Sequence, residues 1–139
     1  MTTVQVVEEV AANANDVWQI LSDFGGIKVG GAIEAFTIEG EGVGAVRTIT
    51  MGGGQVIERL DVHDAALHTF AYSILNEDNP LPVSNYAAQV KITPAGDNAC
   101  TVDWRGTFDA KGADEETAST VVRGIYTGAI KGACKALGV

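Results

Sequence analysis

Apolar and polar residues alternate with period two over most of this chain, and the two places where the period lengthens to that of a helix divide it. From 44 to 51, Ala45, Arg47, Ile49 and Met51 alternate with Val46, Thr48 and Thr50; from 55 to 62, Val56, Glu58, Leu60 and Val62 alternate with Ile57, Arg59 and Asp61. Period two predicts a pair of strands. The β-branched run 2–11 reads as a further strand with Val4, Val6, Glu8 and Val10 on one side, and 33–39 as another. After a turn at 63–66, residues 67–75 place Phe70, Tyr72 and Ile74 on one face. The stretches 83–94 and 99–110 alternate likewise, through Tyr86, Ala88, Val90 and Ile92, then Val102, Trp104 and Phe108. Asn, Asp, Gly and Pro at 76–82 and 94–98 mark the loops between them.

Two segments carry the helical period. Asn13 is positioned as an N-cap, Asp16 follows in the first turn, Val17, Ile20, Leu21 and Phe24 recur at i, i+3, i+4 and i+7, and Gly25-Gly26 stops the run. A long helix is predicted over 114–137, capped near Asp114 and carrying lysines towards its C-terminus, where the macrodipole favours cations. Gly124, Gly128 and Gly132 repeat every fourth residue in it, each at a cost of about 1 kcal/mol relative to alanine. Either close packing or a smooth stripe that leaves room for a ligand would offset that cost. The order strand, short helix, six strands, long helix predicts an α+β fold, a curved antiparallel sheet with the long helix across its concave face. One helix cannot fill a wide curved sheet, and the small residues on this one favour a cavity.

Arg47 and Glu58 break the apolar face of the predicted hairpin. With Gly52 and Gly53 as the central turn residues, Arg47 faces Glu58; a turn one residue later makes Glu58 its diagonal neighbour; a three-residue loop would set Arg47 against Arg59, which like charges disfavour. An exposed pair of this kind contributes only about 0 to 1 kcal/mol and no function. On a buried face it marks a site.

Composition narrows the partners. A length of 139 residues is that of one domain, 1–139, with a core of its own. Eighteen acidic against nine basic residues give a net charge of −9, which repels a phosphate backbone, so nucleic acid is not an expected partner. No stretch approaches the roughly 18 unbroken apolar residues of a membrane span. Two cysteines far apart in sequence and no cationic, then apolar, N-terminal segment are read as a cytoplasmic chain with reduced thiols.

The Val17-Trp18…Leu21-Ser22-Asp23-Phe24 helix, the stretch Glu39-Gly40-Glu41-Gly42-Val43-Gly44-Ala45-Val46-Arg47-Thr48, the segment Glu58-Arg59-Leu60-Asp61 and the Tyr86…Trp104…Phe108 pattern resemble the START/Bet v 1-like (SRPBCC) superfamily. The resemblance is nearest to its bacterial polyketide cyclase/dehydrase and lipid-transport branch and more distant to plant abscisic-acid receptors. It implies a helix-grip fold, in which a seven-stranded antiparallel sheet grips the long C-terminal helix around a hydrophobic cavity, with one or two short helices after strand 1. It does not imply one activity. It places Arg47, Ile49, Met51, Val56, Glu58, Tyr72, Tyr86 and Trp104 on the cavity, with Thr120, Gly124 and Gly128 opposite on the helix; Phe108 belongs to the same aromatic wall. Gly26 to Gly31 lacks the Trp and Pro frequent in relatives, Lys28 does not align with the receptors' carboxylate-holding lysine, Gly52-Gly53-Gly54 replaces their longer gate loop, and Leu81-Pro82-Val83 stands at the latch. A hormone-gated phosphatase inhibitor is not expected.

Other chemistry is thinly supported. Gly40-Glu-Gly-Val-Gly44 leads into a strand rather than a helix N-terminus that could hold a pyrophosphate. His63, in a turn, and His68, opening a strand, lack ligand-spaced partners, so no metal is expected, and no serine or cysteine sits in a nucleophile context. No cofactor is called for. Three readings follow: a binder or carrier of a hydrophobic polyketide, lipid or aromatic molecule with Arg47 and Glu58 anchoring its polar end; a cofactor-independent cyclase or dehydratase with Glu58 as base and Arg47 or a tyrosine stabilising an enolate; and a structural or assembly partner with a filled core. In each, the chain is expected as a monomer or homodimer. An adjacent arginine is expected to lower the Glu58 pKa, which ranks binding first.

Overall fold

In the computed structural model, which describes residues 1–139, seven strands and two helices form the fold: β1 (Thr2–Val10), α1 (Ala14–Leu21), β2 (Ile33–Glu39), β3 (Val46–Met51), β4 (Gly54–Asp64), β5 (Thr69–Ile74), β6 (Val83–Pro94), β7 (Cys100–Ala110) and α2 (Glu115–Leu137). All strands pair antiparallel in one sheet of order β1-β7-β6-β5-β4-β3-β2. Strands β2 to β7 are successive hairpins, and β1 closes the sheet by pairing with β7 rather than with β2. The segment containing α1 therefore crosses from one edge of the sheet to the other. This is a helix-grip fold, with a single short helix after the first strand.

The β3–β4 turn takes the first of the three registers. Gly52 and Gly53 both have positive φ, 57° and 79°, as a primed two-residue turn requires, and Arg47 pairs directly with Glu58. Elsewhere bulges change which parity points inward. An extra residue at Asp61 interrupts the β4–β5 register, so Val62, expected beside Leu60, is exposed, and His63 turns to lie 5.1 Å from the Trp18 ring. His63 is thus in a strand, and His68 occupies the following turn at φ 45°. A second irregularity, between Ser84 and Ala87 with Asn85 at φ 52°, carries the inward face of β6 from Val83 to Tyr86.

Helix α1 ends at Leu21, capped by Ser22, so Phe24 lies beyond the helix rather than on its face. Helix α2 starts at Asp114, whose side chain accepts from Thr117 N, and stops at Gly138 in the left-handed conformation. It buries Ala118, Val122, Tyr126, Ile130 and Ala133, and it packs on β1, β7 and α1. The core therefore fills beneath the β1–β7 side, around Val4, Val102, Phe108 and Ile130, while α2 leaves the inner face of β3 to β5 uncovered. No helix is long and apolar enough to cross a membrane.

Candidate functional site

Arg47 and Glu58 project from facing positions of β3 and β4 into that uncovered space. Arg47 donates through Nε (2.8 Å) and Nη2 (2.7 Å) to Glu58 Oε1, and through Nη1 (3.1 Å) to the carbonyl of Phe24. The guanidinium also lies 3.9 Å from the centre of the Phe24 ring. Stacking and hydrogen bonds together hold it in one orientation, as a planar fork allows. Both Arg47 bonds end on Oε1, so Oε2 has no hydrogen-bond partner in the protein.

Glu58 is only 6% exposed. Burial raises its pKa, and the charge and hydrogen bonds of Arg47 pull against that shift without reversing it. The lowered pKa expected from the arginine alone is therefore corrected: loss of hydration at this depth outweighs one ion pair. Glu58 holds a proton more readily than an ordinary glutamate.

A second polar group lines the same space. The hydroxyls of Tyr72 on β5 and Tyr86 on β6 lie 3.2 Å apart, and that of Tyr86 lies 2.6 Å from the hydroxyl of Tyr126 on α2. Burial pushes the pKa of all three phenols up. Tyr126 is fully buried and reaches the sheet at Gly106 of β7, where a Cβ would collide with the Tyr126 hydroxyl oxygen. Trp104 stacks on Tyr126 with ring centres 4.9 Å apart. Its Nε1 is buried without a partner, near the Tyr72 hydroxyl but short of hydrogen-bond geometry.

These groups line a cavity of about 560 Å³ in which 19 of the 25 lining residues are hydrophobic. The interior is consequently not filled. Arg47, Ile49, Met51, Val56, Glu58, Tyr72, Tyr86 and Trp104 all line it. Four expected residues do not. Phe108 is wholly buried behind the wall, and Thr120, Gly124 and Gly128 face solvent, with nothing within 4 Å of a Cβ built on either glycine. At 100° per residue, 120, 124 and 128 lie opposite the buried 118, 122 and 126, so neither close packing nor cavity volume accounts for Gly124 and Gly128. The helix instead presents Val121, Ile125, Ala129 and Gly132 to the cavity.

Other lining residues carry weaker sequence signals. Ile27 and Lys28, from the loop after α1, complete the rim, where exposed Lys28, Val121 and Ile125 bring the cavity to solvent. Tyr126 fell on a legible stripe, Val122-Tyr126-Ile130, and Gly106 was marked by being a glycine inside a strand. Phe24 had the aromatic type but not the position, since its carbonyl and ring act from outside the helix. No group of three or more His, Cys, Asp or Glu side chains is arranged to hold a metal.

Fold and site together define a helix-grip domain with an apolar internal cavity and one ion pair on its wall. The chain belongs to the family described as polyketide cyclase / dehydrase and lipid transport, whose sequence profile matches residues 1–137. Among solved structures it is similar to the protein XoxI from Bacillus cereus, at 27% identity over 98% of this chain and 95% of that one, with a TM-score of 0.83. A protein from Thermobifida fusca is 31% identical over 93% and 85% of the two chains, with a TM-score of 0.71. Norcoclaurine synthase from Thalictrum flavum, solved with dopamine and hydroxybenzaldehyde, shares the fold at 20% identity, with coverage of 98% and 85% and a TM-score of 0.77. No curated protein matches the sequence.

Proposed function

We propose that this protein binds a largely apolar small molecule in the cavity and anchors its polar end at the Arg47–Glu58 pair. The observation that carries the reading is the cavity itself, about 560 Å³ with a predominantly hydrophobic lining, which falls in the range of sites that enclose drug-sized ligands. Arg47 is already held by Glu58 and by Phe24, so it can contact a ligand oxygen without first being ordered. The family description, which names both cyclases and lipid transport, supports a hydrophobic ligand and leaves its class open between polyketide, lipid and aromatic. The cavity weighs against a structural or assembly partner with a filled core. The test is to denature protein purified from its native host and analyse the extract by mass spectrometry, beside a thermal-shift screen of aromatic polyketides, sterols and fatty acids. A co-purifying or stabilising apolar compound is expected, and its absence from both measurements would remove the reading.

A second reading is favoured by one observation, the raised pKa of Glu58 next to its unpartnered Oε2. A carboxylate of that kind is a stronger base than an ordinary glutamate and can take a proton from carbon or oxygen, as a cyclisation, dehydration or aldol step requires, with Arg47 or Tyr72 facing the developing oxyanion. Incubating a bound compound and looking for product decides it. Turnover that disappears in Glu58→Gln while binding persists is the expected pattern for catalysis; turnover that survives removes Glu58 as the base.

A further inference from the structure

The three tyrosine hydroxyls form a chain whose direction follows from counting protons. Each phenol has one proton to donate, and two O···O contacts join the three, Tyr72 to Tyr86 at 3.2 Å and Tyr86 to Tyr126 at 2.6 Å. One proton is left over at one end. Tyr126 is fully buried, does not line the cavity, and has Tyr86 as its one hydroxyl partner, so a proton left there would be unpaired in the core. Tyr126 therefore donates to Tyr86, and Tyr86 to Tyr72. The spare donor falls on Tyr72, which lines the cavity. Trp104 Nε1, which can only donate, lies near the Tyr72 oxygen without a partner in hydrogen-bond geometry, so a second donor stands on the same wall.

We propose that Tyr126, Tyr86 and Tyr72 form a one-way hydrogen-bond relay whose open end donates to an oxygen acceptor of the cavity ligand, so that the site selects carbonyl, enol and phenol oxygens over bare hydrocarbon. Gly106 is the notch that admits the relay's buried end, since any Cβ there would collide with the Tyr126 oxygen. Each phenol that accepts a hydrogen bond becomes a better donor, so Tyr126 strengthens the Tyr72 contact without touching the ligand. The inference rests on the cavity-binding reading and adds to it the chemistry of the ligand's polar end.

The test compares two probes of similar shape by calorimetry: acetonaphthone, whose carbonyl accepts and cannot donate, and ethylnaphthalene, which does neither. Tyr72→Phe is expected to weaken acetonaphthone roughly tenfold, the upper range for one neutral hydrogen bond, and to leave ethylnaphthalene within about twofold. Tyr126→Phe, outside the cavity lining, is expected to weaken acetonaphthone about threefold and to leave ethylnaphthalene unchanged. Unchanged hydrocarbon binding also verifies that each variant is folded. If Tyr72→Phe weakens both probes alike, or Tyr126→Phe weakens neither, the relay is overturned and the cavity reading stands. If neither probe binds the wild-type protein, the relay is overturned, and the cavity reading is decided by the extraction and the thermal-shift screen.

Discussion

Arg47 and Glu58 show how depth decides what a charge pair does. On a solvated hairpin the same two residues would contribute about 0 to 1 kcal/mol; with side chains only 13% and 9% exposed, neither can be removed without leaving the other charge stranded. Arg47→Ala is expected to cost about 3 to 5 kcal/mol in chemical denaturation, and a loss below about 1 kcal/mol would show that the pair is solvated. The pH dependence has a definite sign. Because the folded pKa of Glu58 is raised, its contribution is fully present below the ordinary glutamate value and is lost as pH rises through the folded value. Glu58→Gln lacks that loss, so its stability relative to wild type should improve with increasing pH; the opposite slope would mean that Arg47 dominates the titration. That this pair meets on one face was legible from alternation and three glycines, and the structure selected the facing register over the diagonal one. The direction of the pKa shift was not, because hydration loss depends on everything packed around the carboxylate.

Among the elements, α2 and β7 carry the clearest consequences. Gly124→Ala and Gly128→Ala should each stabilise the protein by about 0.5 to 1 kcal/mol, since both positions are helical, exposed and open around an added Cβ. A fall in melting temperature would reveal a packed face on that side. Gly106→Ala is expected to do the reverse and cost about 1 to 3 kcal/mol, because its Cβ meets the Tyr126 hydroxyl. In the double variant Gly106→Ala/Tyr126→Phe the colliding oxygen is gone, and the cost should fall short of the sum of the singles by about 1 kcal/mol. Strict additivity would place Tyr126 elsewhere. Gly124 and Gly128 drew attention to the solvent side of α2, although Gly132 of the same repeat does line the cavity, whereas the stripe Val122, Tyr126 and Ile130 is the one buried against the sheet. Both have a four-residue period, and a period by itself does not say which stripe the sheet covers.

For the whole molecule, the sheet is wider than the one helix laid across it, and the cavity is the remainder. A ligand that occupies the cavity only in the folded state should raise stability by about 2.7 kcal/mol at a concentration a hundredfold above its Kd, read as a melting temperature that climbs with ligand concentration. A melting temperature independent of every apolar compound tested would leave the cavity without a role. Local pattern was enough for the strands, the two helices and their order, the curved antiparallel sheet, and a hairpin that sets Arg47 and Glu58 on one face, because alternation, caps and turn glycines act between near neighbours. Packing between distant elements set the rest: bulges near Asp61 and Asn85 reverse the inward face, α2 turns 121, 125 and 129 rather than 120, 124 and 128 to the cavity, and Tyr72, Tyr86 and Tyr126 meet beside Gly106. Those outcomes depend on contacts between elements distant in sequence and on the water each group gives up in making them, which no local pattern records.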